Sequence, residues 1–253
     1  MEMDSLSASA EEACLNAWPA LKEIFYDGWL IRLADGETRR TNSVNVIGRG
    51  RHAMDDKIAY CESVYRTHGL PAYFRIRSTD DPLLEDALIA RGFRAEDDTR
   101  TLFMDFARTP PAEVPDAANI EIAYRRPPLE WLAAHASFTG RAVKAGDIRS
   151  RLLELVALPV AFAAARDRGG AIVSVAYGAV HGRLVCVQWV ATDPACRRTG
   201  LSRATLAGLF GWAQDMGATG ACLQVVAANT PAVKLYESMG FDRELYRYHY
   251  RVL

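Results

Sequence analysis

Apolar positions in the second half of the chain follow two alternating rhythms, and together they lay out a mixed fold. Period-two or short continuous apolar runs predict strands at Ile120–Tyr124, Val160–Ala165, Ile172–Val180, Leu184–Ala191, Ala221–Val226 and about Arg243–Val252. Between them, Leu129–Phe138, Ile148–Ala157, Ser202–Met216 and Thr230–Met239 carry apolar residues at helical spacing, and Gly217 and Gly240 stand where helix-ending glycines belong. Strands joined by a tight turn at His181-Gly182 must run antiparallel, whereas Leu184–Ala191, a helix, then Ala221–Val226 is a β-α-β unit with parallel strands. The fold class is therefore α+β (mixed α/β), a twisted, largely antiparallel sheet flanked by helices.

The first half repeats this pattern. Ala87–Arg94, A-L-I-A-R-G-F-R, matches Leu235–Asp242, L-Y-E-S-M-G-F-D, and sets Gly92 against Gly240, 148 positions on. A strand, turn and strand over Trp29–Val46 around Asp35-Gly36 matches Ile172–Val190 around His181-Gly182, with Gly36 and Gly182 146 positions apart. Two offsets that agree within two residues argue for one fold used twice. Ala107–Asn119, with three prolines and no apolar period, reads as an exposed linker. The expected organisation is a flexible tail over 1–10, an N-terminal domain over 11–107, a linker over 108–119 and a second domain over 120–253.

Composition narrows the function. Thirty Lys+Arg against thirty-one Asp+Glu gives a net charge of -1, so a nucleic-acid partner is not expected. No stretch approaches the roughly 20 apolar residues a spanning helix needs, and the acidic start MEMDSLSASAEEA lacks a signal-peptide core; no membrane partner and a cytoplasmic location are expected. The five cysteines are widely spaced without a C-x-x-C pair, so neither a metal site nor a disulfide framework is expected.

Val190–Ser202, V-A-T-D-P-A-C-R-R-T-G-L-S, links the strand and helix of the β-α-β unit. A loop at this place aims backbone N–H groups and the positive end of a helix at one spot, a good anion site. Gly200 removes a side chain where a pyrophosphate would approach, and Arg197 and Arg198 add charge; an ordinary strand-to-helix turn with surface arginines is the competing reading.

In context the loop resembles the Q/R-x-x-G-x-G/A signature of the GNAT superfamily of acyl-CoA-dependent N-acyltransferases, read here as Arg197-Arg198-Thr199-Gly200-Leu201-Ser202, with Ser202 in place of Gly or Ala. The resemblance continues through Leu223–Ala227 and Asn229–Phe241 in the family's order. It implies acetyl-CoA as co-substrate, with no metal. Backbone groups of Val190, Ala191 and Thr192 would pair with pantetheine amides in a gap between splayed strands. The N–H groups of Arg198, Thr199, Gly200, Leu201, Ser202 and Arg203 would hold the pyrophosphate, and Asn229 would bond the pantetheine arm. Tyr236 falls where the family often places the general acid that protonates the leaving thiolate; a core aromatic beside Leu235 and Phe241 is the alternative.

No general base is assigned. The strand Leu184–Trp189 carries no carboxylate, Asp193 before Pro194 is turn chemistry, and His135 and His181 remain candidates. Cys186, Cys196 and Cys222 lie near the expected gap, but direct transfer needs no acyl-cysteine. In the first half the corresponding loop, R-G-R-H-A-M at Arg49–Met54, has lost the pattern, Tyr236 maps to Leu88 and Asn229 to Asp81, which suggests a degenerate copy. By the resemblance this half would shape the acceptor pocket or the interface, with Asp27–Trp29 and Thr38–Ser43 as its polar stretches; a solvated strand face is the favoured reading of the second, and substitutions at Arg40 or Asn42 would separate the two.

The expected activity is transfer of an acetyl group to a primary amine of a small molecule by direct attack in a ternary complex. Peptide or protein amines, a thiol-precursor synthase and a non-catalytic acyl-CoA-binding module stay open, as does the choice between monomer and homodimer. A dinucleotide-binding Rossmann fold is disfavoured by the single motif glycine and the neighbouring antiparallel hairpin.

Overall fold

Along Val160–Arg166 the buried side chains alternate between two hydrophobic clusters, Val160, Phe162 and Ala164 on one side and Ala161 and Ala163 on the other. A strand patterned this way must be covered on both faces. The computed structural model, which describes residues 3–36, 38–115, 119–141 and 148–253, shows how.

The first half runs α1 (Met3–Ala17), β1 (Lys22–Tyr26), β2 (Trp29–Leu33), β3 (Val44–Val46), α2 (Met54–Thr67), β4 (Phe74–Arg77), α3 (Pro82–Ala90) and β5 (Arg94–Asp105). The second runs β6 (Asn119–Tyr124), α4 (Leu129–Phe138), α5 (Ile148–Glu154), β7 (Val160–Arg166), β8 (Ile172–His181), β9 (Leu184–Thr192), α6 (Leu201–Asp215), β10 (Gly220–Val226), α7 (Thr230–Ser238) and β11 (Arg243–Val252). The predicted elements of the second half are present, with no end displaced by more than three residues. The repeat is equally plain in α3 and α7: each has nine residues, a proline in its first turn, and an N-cap side chain, Asp81 or Asn229, that accepts a backbone N–H.

The eleven strands among the described residues join one sheet in the order β1-β2-β3-β4-β11-β5-β10-β9-β8-β7-β6. β3 with β4 and β9 with β10 are parallel, and the other neighbours are antiparallel. The halves have exchanged their last strands. β11 of the second half lies between β4 and β5, and β5 of the first half lies between β11 and β10. Helices α6 and α7 cover one face of the second half, through Leu206, Leu209, Phe210, Val233 and Tyr236, while α4 and α5 cover the other through Trp131, Leu152 and Leu153. Helices α2 and α3 pack on β2, β3 and β4.

Three expectations change. Residues 3–10 are no tail: they open α1, where Leu6 and Ala10 are buried, and α1 crosses the seam on the opposite face from α6. Its Glu11 accepts from Arg75 of β4, with one bond at 3.0 Å, and from Tyr246 of β11, all three buried. Asp35-Gly36 is not a tight hairpin. β2 and β3 do pair, Trp29 with Val46, but the chain between them is a long loop with a 3-10 turn at Arg39–Thr41. The tight turn is Asp27-Gly28, between β1 and β2, where both residues take positive φ. Finally, the stretch Thr38–Ser43 is not a solvated face. Thr41, Asn42 and Ser43 are buried, and the Asn42 side chain accepts from the N–H of Ala34 at 2.7 Å and Gly36 at 3.1 Å, fixing the loop.

Of the predicted linker, residues 110–115 form neither helix nor strand, residues 116–118 lie outside the described residues, and Asn119 already belongs to β6. No helix among the described residues is long and apolar enough to cross a membrane. The fold brings together three cysteines that sequence spacing kept apart: the Sγ atoms of Cys14, Cys186 and Cys222 lie within 4.8 Å of one another, buried where α1 meets β9 and β10.

Candidate active site

β9 and β10 pair only from Leu184 with Gly220 to Val187 with Leu223, so their remaining residues diverge and open a gap. A bulge widens it. Val175 of β8 faces Ala191 and Tyr177 faces Gln188, which leaves β9 one extra residue around Trp189, at φ +52. This is costly backbone for a bulky residue, and packing holds it: the Trp189 ring lies 4.4 Å from the His135 ring and 5.0 Å from that of Trp18.

Two cavities meet at this gap. One, of about 580 Å³, runs along the loop from β9 to α6. Val190, Ala191, Thr192, Arg197, Arg198, Gly200, Leu201, Ser202, Arg203, Asn229 and Tyr236 all line it, so the structure brings together the predicted site residues with one exception. Thr199 does not line it; its hydroxyl donates to the Cys196 carbonyl at 2.6 Å. Phe138, Thr139, Cys196, Pro231, Ala232 and Leu235 complete the wall. The first two, on and just past the end of α4, are far from any motif and carried no sequence signal.

The loop suits an anion. Gly200 caps α6 at φ +86, Arg198 also takes positive φ, and a Cβ on Gly200 would meet nothing within 4 Å. The N–H groups of Leu201, Ser202 and Arg203 are first-turn donors, and among the described residues no group accepts from them. Ser202 ties the helix to the strand through a 2.6 Å hydrogen bond with Thr192, and Arg203 donates to the Ser238 carbonyl and hydroxyl. Asn229 Oδ1 accepts from the Ala232 N–H at 3.3 Å. These donors, and the open space above Gly200, fit the phosphates and pantetheine of a coenzyme A thioester.

The other cavity, of about 620 Å³, lies on the seam and takes its wall from both halves: Thr38, Arg39, Arg40, Asp97 and Thr99 from the first, Gln188, Gln224, Tyr248 and Tyr250 among others from the second. Val190, Asn229, Ala232 and Tyr236 line both cavities. Tyr236 is 8% exposed, with its ring edge-on to Phe241 at 5.8 Å, and burial pushes its phenol up to about 12. It is both a core aromatic and a protonated donor at the junction.

The base candidates separate clearly. His135 stacks between Trp131 and Trp189, and burial, with the charges of Arg141 and Arg149, lowers it to about 4, so it is a neutral core residue. His181 sits 3.3 Å from Glu12, away from both cavities. Asp193 accepts from the Ala195 N–H, as turn chemistry predicts. Cys186 and Cys222 are buried in the core; Cys196 alone of the three borders the first cavity.

In the first half a cavity of about 750 Å³ borders the equivalent loop, but N–H groups of that loop are already engaged. The Asp27 carboxylate accepts from the N–H groups of Arg51 and His52, at 2.8 and 3.0 Å, just before α2, and lies 3.4 Å from Lys57. Hydrogen bonding from His52 leads the effects that lower its carboxyl to about 2. Gly50 is required by this contact, since a Cβ there would stand 2.2 Å from Asp27 Oδ2.

A family model described as "Probable histone acetyltransferase Rv0428c C-terminal" matches residues 8–251. The chain is 34% identical over 154 residues to a mycothiol acetyltransferase of Pseudarthrobacter chlorophenolicus, covering 53% of this chain and 47% of that one, so it spans about half the length of that relative. It is 23% identical over 252 residues to the uncharacterized N-acetyltransferase YobR of Bacillus subtilis, covering 96% of each. The fold is shared with a GCN5-related N-acetyltransferase from Kribbella flavida, at a TM-score of 0.72, 16% identity and 98% and 95% coverage. A tandem GNAT protein from the clavulanic acid biosynthesis pathway gives a TM-score of 0.67 at 14% identity, over 83% of this chain and 74% of that one. By the extent of the family match the chain belongs to the Rv0428c C-terminal acetyltransferase family, and its fold is that of the GCN5-related N-acetyltransferases.

Proposed function

We propose that this protein transfers an acetyl group from acetyl-CoA to a primary amine of a small molecule by direct attack in a ternary complex, and that the second half does the chemistry. The observation that carries the reading is the wall of Val190, Asn229, Ala232 and Tyr236 common to both cavities, which lets a donor in one meet an acceptor in the other. When bound, acetyl-CoA supplies an activated thioester.

The start of α6 and Arg197 and Arg198 hold its phosphates, and the free edge of Val190–Thr192, with Asn229, holds the pantetheine arm. The amine nitrogen forms a bond to the acyl carbon as the carbon–sulfur bond breaks. Tyr236, still protonated at neutral pH, donates to the leaving sulfur and is reprotonated from solvent. The proton lost by the amine passes to water, because the acidic side chain of the acceptor wall, Asp97, is paired with Arg39.

The first half acts as a degenerate copy that supplies the acceptor wall, with its own phosphate loop occupied by Asp27. An acceptor cavity of about 620 Å³ is the size of small-molecule sites, which favours a small amine over a peptide groove.

Calorimetric titration of acetyl-CoA tests the reading. We expect one equivalent to bind, Gly200→Glu to abolish binding, and Tyr236→Phe to bind normally while losing about 10²- to 10⁴-fold in turnover. Equal turnover of Tyr236→Phe and wild type would remove Tyr236 from the chemistry; no binding to wild type would overturn the function.

A further inference from the structure

Building on that function, we propose that the acceptor carries a carboxylate besides its amine, and that Arg40 of the first half holds this carboxylate. The charges on the acceptor wall point to it. Asp97 is already engaged by Arg39, whose other nitrogen pairs with Glu96, so both carboxylates have a cation beside them and the three groups together carry one net negative charge. Arg40 has no such partner: among the described residues no carboxylate pairs with it. Its guanidinium donates to Gln188 Oε1 at 2.7 Å and lies 5.9 Å from the Trp18 ring centroid.

A guanidinium has five N–H donors in a fork shaped for a carboxylate, and one half-buried in a cavity without a counter-ion is stabilised when a ligand brings one. A second donor borders the same cavity. The Tyr250 hydroxyl is buried beside Tyr248 with no other hydrogen-bond partner among the described residues, and it is close enough to Arg40 to feel its charge. Arg141 adds another cation to the wall.

A polycationic acceptor would need free carboxylates here, and the described wall offers none. The geometry instead orients an acceptor with its carboxylate toward Arg40, in the first half, and its amine toward Tyr236, in the second. The loop carrying Arg40 exists because the hairpin between β2 and β3 has opened, and Asn42 pins it in place. The second half could not supply this contact alone.

The test uses product-side probes, independent of turnover. Protein saturated with CoA is titrated calorimetrically with the N-acetyl derivatives of glycine, alanine, leucine, phenylalanine and glutamine, and with the matching carboxamides. We expect at least one N-acetyl amino acid to bind ten-fold or more tightly than its amide. Arg40→Met should erase that preference and Arg40→Lys should keep part of it, with CoA affinity unchanged in both. Acid and amide binding alike, or no probe binding while CoA binds normally, would overturn the carboxylate assignment and leave the acyl-transfer function standing. Failure of CoA itself to bind would take down both.

Discussion

Glu11→Gln should destabilise the protein more than any surface substitution, because Glu11 joins α1 to the seam through two buried partners. Burial by itself would raise the Glu11 carboxyl, but the charge and hydrogen bonds of Arg75, helped by Arg77 and Tyr246, outweigh it and lower the group from 4.5 to about 2. At 1.36 kcal/mol per unit, the ionised form contributes on the order of 3 kcal/mol to folding. A carboxyl depressed on folding delivers this above its unfolded pKa and loses it as pH falls through the folded value, here from about 4.5 down to 2. The Gln variant also strands the Arg75 guanidinium, leaving it Asn45 Oδ1 at 3.3 Å and the Tyr248 ring at 3.8 Å. Removing one partner of a buried pair costs about 3–5 kcal/mol. For a chain of this size that lowers Tm by roughly 6–15 °C. Thermal melts followed by near-UV circular dichroism at pH 7, and at steps from pH 5 to 2.5, measure both effects. A Glu11→Gln Tm within about 2 °C of wild type at pH 7, or equal acid sensitivity of the two proteins, would refute the reasoning. Glu11→Met with Arg75→Met should recover much of the loss, since no charge is then left buried.

The pH profile of turnover should rise as the acceptor amine loses its proton and show no falling limb up to about pH 10, because burial holds the Tyr236 phenol near 12. A descending limb between pH 8 and 9.5 that disappears in Tyr236→Phe would contradict that environment. Asp27→Asn should lower thermal stability but leave acetyl-CoA stoichiometry at one equivalent; a second equivalent, seen calorimetrically, would show that the first half still contains a usable cofactor loop.

Much of the second half was legible because its strands are buried on both faces or alternate cleanly, and its helices have a single apolar stripe. The loop between β9 and α6 was legible from its place between a strand and a helix, where Arg198 and Gly200 take the positive φ of the turn. Helix α1 was not, because its buried positions Leu6, Ala10, Ala13 and Ala17 are mostly alanine among Ser, Asp and Glu, and small residues give a weak periodic signal. Thr38–Ser43 misled for a related reason. Polar residues there are buried because Asn42 satisfies the loop's own backbone, a local match invisible to hydropathy. The exchange of β5 and β11 was beyond reach altogether: alternation says that a strand is buried, and nothing in it names the neighbour.

That exchange bears on how the protein comes into being. Since β11 separates β4 from β5, a ribosome that has finished the first half has made a sheet whose middle member is still 137 residues away in the reading frame, the distance from Arg243 back to Phe106. The early half must wait with two open edges, and its native state is reached only when residues 243–252 thread into place. Duplication normally yields modules that can be separated and reshuffled. Here each copy completes its sheet with a strand of the other, and the arginine-bearing loop of one is held in register with the loop between β9 and α6 of the other.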